Sequence, residues 1–160
     1  MKRMLAIFAV AVVCFALAGS MLAQNTAFVG TWKLNLEKSK YPAGMAPKSQ
    51  TRTVSADGNN VIYKFEGQGA DGTAFSYGFT SKWDGKDAEV TGTGSPSGAD
   101  HIAIKQVDSH TLSATLKKGE KTIGTSSATV SQDGKMLTLT TKATDANGKP
   151  VKTVSVYDKQ

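Results

Sequence analysis

His101 and His110 are the chain's two histidines, and Ser109-His110 sets a hydroxyl directly beside an imidazole. Acyl transfer needs a nucleophile, a base and a group that orients the base. Neither histidine lies in a nucleophile elbow or a comparable loop signature. His110 falls in an expected turn, Val107–Thr111, where a polar residue is the ordinary choice. His101 opens a strand after a Gly/Ser/Pro loop. No catalytic residue is assigned from these. The aspartates cluster in Asp57-Gly58, Asp71-Gly72, Asp84-Gly85 and Asp133-Gly134, with Asn147-Gly148 similar in kind. An EF-hand loop would need alternating acidic ligands, and zinc would need closely spaced Cys or His pairs; neither spacing occurs. Gly67-Gln68-Gly69 and Gly92-Thr93-Gly94 resemble phosphate loops, but neither precedes a helix whose N-terminus would hold an anion. No metal and no cofactor are expected, and no pair of carboxylates is singled out for glycosidase-type chemistry.

The Asp-Gly dipeptides instead specify architecture. Such pairs tolerate the positive φ of tight hairpin turns. Between them lie β-type runs: Phe28–Leu36, Thr51–Ala56, Val61–Gly67, Ala74–Trp83, Ala88–Gly92, His101–Val107, Thr111–Lys117, Lys121–Ser131, Met136–Ala143 and Val151–Tyr157. Pro42 and Pro47 forbid a central strand across Glu37–Gln50, which reads as a connecting loop with one helical turn at most. No amphipathic helical run of useful length appears. Short sequential links favour an all-β fold, an antiparallel up-and-down β-barrel of about 8–10 strands. A sandwich would require longer crossing connections.

Period-two alternation sorts the faces. Phe75, Tyr77, Phe79 and Trp83 share one parity, as do Val61, Tyr63 and Phe65 on the preceding run. Ile102 with Ile104, Leu112 with Leu116 and Leu137 with Leu139 repeat the pattern. These residues face inward. They either fill the interior completely or line a cavity for a small apolar ligand, with Tyr63 and Tyr77 as hydroxyl handles. The candidate ligand-binding set is Tyr63, Phe65, Phe75, Tyr77, Phe79, Trp83, Ile102, Ile104, Leu112 and Leu116.

The chain begins with Lys2 and Arg3, then an uncharged apolar run from Met4 to Ala18 and small residues up to Ala23. This is the pattern of a cleaved secretory signal peptide over residues 1–23, followed by one domain over 24–160. Cleavage after Ala23 is preferred, with Ala16-Leu17-Ala18 as the alternative. No stop-transfer run follows, so no stable membrane span is expected after processing. The location is then periplasmic or extracellular. Val13 before Cys14 argues against a lipoprotein box. Taking residues 1–23 from the 160 leaves 137 and removes Cys14, the sole cysteine, so burial and backbone pairing alone must hold the fold. Loss of Lys2 and Arg3 lowers the formal net charge from +6 to +4. Those charges are scattered lysines on turns and strand faces, without the clustered arginines and interleaved aromatics of a nucleic-acid site.

Phe28-Val29-Gly30-Thr31-Trp32-Lys33-Leu34 resembles the Gly-x-Trp element that opens the first strand of lipocalins and related calycin barrels. With the Pro-containing loop, the Asp-Gly turns and the terminal Val156-Tyr157-Asp158-Lys159, the chain is similar to small exported bacterial lipocalin-like proteins over most of residues 28–159. The resemblance implies that Gly30 and Trp32 close one barrel end. It also implies a cationic side chain over Trp32; no arginine follows Arg52, which leaves a lysine such as Lys152 for that place. The Thr-Asp-Tyr element and the long C-terminal helix of lipocalins are absent from the sequence. The strand count is nearer the fatty-acid-binding branch, whose two-helix lid a Pro-containing loop replaces here. The function expected is non-catalytic binding of a small hydrophobic or amphipathic ligand. A fully packed envelope or interaction protein, and an enzyme on a calycin-like scaffold using Tyr or His, are the alternatives.

Overall fold

A computed structural model describes residues 26–145 and 148–160; the expected signal peptide and Asn147 lie outside the described residues. Eleven strands form one antiparallel sheet: β1 Gly30–Leu34, β2 Ser49–Asp57, β3 Asn60–Gln68, β4 Ala74–Ser81, β5 Asp84–Glu89, β6 Thr91–Thr93, β7 His101–Gln106, β8 Thr111–Lys118, β9 Lys121–Val130, β10 Met136–Thr144 and β11 Pro150–Lys159. Their order is β5-β7-β8-β9-β10-β11-β1-β2-β3-β4-β6. Two 3-10 turns, Thr26–Phe28 and Pro96–Gly98, are the helical elements among the described residues.

The eleventh strand comes from a division the sequence does not announce. Ala88–Gly92 reads as one strand, yet the continuous segment 84–93 changes partners within it. Its first part pairs with β7, from Asp84↔Lys105 to Glu89↔His101, and its second part pairs with β4, from Thr91↔Gly78 to Thr93↔Ser76. The switch at Val90 is held by a hydrogen bond from its N–H to Asp100 O (2.8 Å). This one segment thereby joins the two ends of the sheet and nearly closes the barrel.

Close approach at the seam selects glycine. Gly92 has φ +99°, and a Cβ there would collide with Ser76 O and Tyr77 Cα. Asp84-Gly85 is not a turn, as its composition implies. It forms an irregularity inside β5, where pairing shifts between Asp84 and Asp87, and the preceding turn is made by Lys82 and Trp83. The bulge is the other use of a positive-φ glycine. Asp71, Asp108 and Asp133 do serve turns: each accepts a backbone N–H through Oδ1, from Thr73, His110 and Lys135 respectively. Those bonds are the main cause that holds the Asp71 and Asp108 carboxyls below the ordinary carboxylate value; Asp133 is lowered first by the hydrogen bond from Ser131 Oγ and then by the Lys135 N–H.

Between β1 and β2 the chain forms a strap without any helix. It continues beside β11, where Lys40 and Val154 exchange two backbone bonds (2.7 and 2.8 Å). Asp158 ties its root, accepting from Asn35 Nδ2 (2.6 Å) and pairing with Lys38 Nζ (2.9 Å). Both contacts depress the Asp158 pKa, the Asn35 bond most. The tie is therefore complete above the ordinary carboxylate value of about 3.9 and is lost as the pH falls through the depressed value. Asp158→Asn is expected to speed tryptic cleavage after Lys38 and Lys40 at neutral pH; an unchanged cleavage rate would show that the strap does not depend on this tie.

Candidate functional site

Inward parity is as expected, but the barrel interior divides into two ends with different contents. At one end Trp32 is fully buried and donates from Nε1 to Phe28 O (2.9 Å), drawing the N-terminal 3-10 turn across the barrel base. Phe28 meets Trp83 edge to face, with ring centroids 5.7 Å apart. Trp83 sits at φ 57°, a left-handed conformation in the turn after β4, and donates from Nε1 to Tyr63 Oη (2.6 Å). Leu112, Val130 and Leu137 complete this packed end. The cation over Trp32 is Lys159, with Nζ 5.0 Å from the ring centroid, and not Lys152, which lies opposite Lys142 on the β10–β11 ladder. Register explains the difference: Trp32 is directly opposite Lys159 on β11.

At the other end the interior is open. A cavity of about 360 Å³ is lined by Phe65, Phe75, Tyr77, Phe79, Ile102, Ile104 and Leu116 from the sequence-derived set. Tyr63, Trp83 and Leu112 do not reach it, because they belong to the packed end. Direct cross-strand pairing of Phe65 with Tyr77 and of Tyr63 with Phe79 stacks the rings, with centroids 4.5 and 4.7 Å apart. The opposite wall, from β9, β10 and β11, is hydroxylated by Ser126, Thr141, Thr153 and Ser155. Ser126 and Thr141 hydroxyls bond to each other at 2.8 Å, and Tyr41 from the strap bonds to Ser155 at 2.6 Å. Met45 and Pro47 of the strap stand at the mouth.

Between the two ends lies a group that the aromatic pattern does not point to. Arg52 is only 4% exposed, and its guanidinium carbon is 5.3 and 5.2 Å from the ring centroids of Tyr63 and Phe65. Its Nε has no hydrogen-bond partner, and none of the ion pairs among the described residues includes it. Magnitudes show that the rings do not balance the charge. Burying one ion costs several kcal/mol. A desolvated cation–π contact returns about 2 kcal/mol, and the unpaired N–H adds a cost of about 1–3 kcal/mol.

Gln50, Tyr77 and Tyr157 share the cavity wall with Arg52, and Tyr157 Oη donates to Gln50 Oε1 (2.6 Å). Burial pushes the Tyr77 and Tyr157 phenols far above their usual pKa, with the Arg52 charge opposing, so both remain O–H donors at physiological pH. A sequence signal for Arg52 did exist: Gln50, Arg52 and Val54 share one parity on β2, and Val54 is apolar.

The histidines are elsewhere. His101 Nδ1 is 2.9 Å from Asp100 Oδ1 and His110 Nδ1 is 2.9 Å from Ser109 Oγ, neither group lining the cavity.

No family model matches the chain, and no curated protein sequence matches it. Among solved structures it is similar to zebrafish ileal bile acid-binding protein, complexed with cholic acid, at 12% identity and a TM-score of 0.53 over 84% of this chain and 99% of that one. It also aligns with a de novo designed fluorescence-activating β-barrel at 12% identity and a TM-score of 0.44, over 88% of this chain and 100% of that one. The first likeness shows the fold alone: a nearly closed antiparallel β-barrel like that of the bile acid-binding protein.

Proposed function

We propose that this barrel binds a small amphipathic organic molecule in its interior, non-covalently and without a cofactor. The observation that carries the reading is the cavity of about 360 Å³ between an aromatic wall and a hydroxylated wall. A packed structural barrel would have continued the filling seen around Trp32. Pockets of this size with few, placed polar groups suit drug-sized ligands, and burial of apolar surface supplies most of the affinity. The zebrafish protein's cholic acid, held in a barrel of the same fold, supports the reading by analogy. With residues 1–23 read as a leader, binding takes place outside the cytoplasm.

Phe79→Ala and Tyr77→Ala each remove an aromatic wall element and are expected to weaken uptake of an environment-sensitive lipophilic probe about three- to tenfold. Unchanged binding in both variants would sink the cavity reading. Native mass spectrometry of protein from its own host tests it independently through a co-purified small molecule.

A further inference from the structure

We infer that the cavity selects a flat aromatic molecule bearing a carbonyl or ether oxygen, laid with a ring face across the β3–β4 wall and its oxygen turned to the hydroxyls of β9–β11. This rests on the interior-binding reading and names the class of occupant. The ring geometry of the wall carries it. Phe65 and Tyr77, directly opposite on β3 and β4, have centroids 4.5 Å apart and planes 10° from parallel. The next pair, Tyr63 and Phe79, repeats this at 4.7 Å and 20°. Those separations match the spacing of neighbouring strands, about 4.7–4.9 Å. Ring faces therefore meet each other across the strands, and the ring planes stand upright on the sheet. Tyr63 and Phe65, successive inward residues of β3, lie within 6° of parallel, so the arrangement continues along the strand. What the cavity receives from Phe65, Tyr77 and Phe79 is a row of ring edges.

An aromatic edge is electropositive and an aromatic face electronegative, so a flat π-system set across such a row makes several edge-to-face contacts at once. A saturated ring or chain has no such face and gains from the wall by burial alone. Across the cavity the Ser126 and Thr141 hydroxyls bond to each other, as do those of Tyr41 and Ser155. A bond between two hydroxyls uses one O–H and leaves the second to another acceptor. That wall thus offers donors, which a carbonyl or ether oxygen satisfies and a bare hydrocarbon does not. Ile102, Ile104 and Leu116 close a further side with apolar surface.

The test compares three uncharged compounds of equal carbon number by equilibrium dialysis at neutral pH. Fluorenone is flat and aromatic with a carbonyl; dicyclohexyl ketone keeps the carbonyl on saturated rings; fluorene keeps the flat rings without the oxygen. Their neutrality leaves the Arg52 charge out of the comparison. Fluorenone is expected to bind at least about tenfold more tightly than dicyclohexyl ketone, although the saturated compound has the larger apolar surface. It should also exceed fluorene by about threefold or more. Phe79→Leu keeps an apolar wall but removes a ring edge, and should cut the preference for fluorenone over dicyclohexyl ketone by about threefold. Equal affinity of the native protein for the two ketones would overturn the edge-to-face seat and leave interior binding standing. Equal affinity for fluorenone and fluorene would overturn the placing of the oxygen. A preference that Phe79→Leu leaves intact would overturn the seat as well, by putting the rings elsewhere. If none of the three binds, this assignment falls, while uptake of the lipophilic probe decides the interior reading separately. The contrasts within the native protein decide the matter even where Phe79→Leu does not fold.

Discussion

Trp32→Ala is expected to destabilise the barrel by about 3–5 kcal/mol, measured as a lowered urea midpoint at constant m-value. The indole is fully buried, and its loss leaves a void that the base of the barrel is poorly able to close. Phe28 O loses its donor at the same time, so the 3-10 turn that plugs the base is released with it. Lys159→Ala is the control. It removes the cation above the ring but leaves the indole in place, and an exposed cation–π contact contributes only about 0.5–1 kcal/mol. A Trp32→Ala loss below about 1 kcal/mol would mean that the packed end does not anchor the fold.

Gly92→Ala should cost about 2–5 kcal/mol, because two penalties coincide there. A positive φ is unfavourable for any side chain by about 1–2 kcal/mol. The new Cβ also strikes the backbone of β4, which yields less readily than a side chain would. Gly134→Ala separates the two effects. Gly134 has φ +69° but open space around its missing Cβ, so it reports the conformational penalty alone. Equal losses in both variants would show that the β4–β6 approach is not tight. A larger loss at Gly92, with faster hydrogen exchange across residues 84–93, is the expected result.

Most of the barrel was legible because its longer strands carry apolar residues at alternate positions. Val61, Tyr63 and Phe65 alternate with Ile62, Lys64 and Glu66, and burial along β3 follows that alternation, whereas β7 and β11 each bury three consecutive residues. What parity could not tell was depth along the barrel axis. Phe79 and Trp83 look equivalent in sequence, yet Phe79 lines the cavity while Trp83 lies in the packed base. Depth is set by strand tilt and register, which depend on partners far away in the chain. The double pairing of 84–93 was hidden for the same reason, since nothing local to Val90 states which neighbour comes next. Asp84-Gly85 misled because a turn and a bulge both use a glycine at positive φ. Lys159 took the place over Trp32 because the β1–β11 register brings it there. Arg52 was legible in principle, as a charged residue on an apolar parity, but charge alone suggests a solvated face.

The double pairing of residues 84–93 has a cost in the crowded, concentrated conditions that proteins meet. In a closed barrel, peeling off one strand normally exposes that strand and two neighbours with complementary gaps. Here a single local opening would uncover the outer edges of β4 and β7 together, on opposite sides of one breach. Each edge presents unpaired N–H and C=O groups to a second molecule in the same state, which is the geometry of reciprocal strand exchange. With no disulfide available to staple the segment, resistance to that self-association rests on the fit of Gly92 against β4 and the hydrogen bond at Val90.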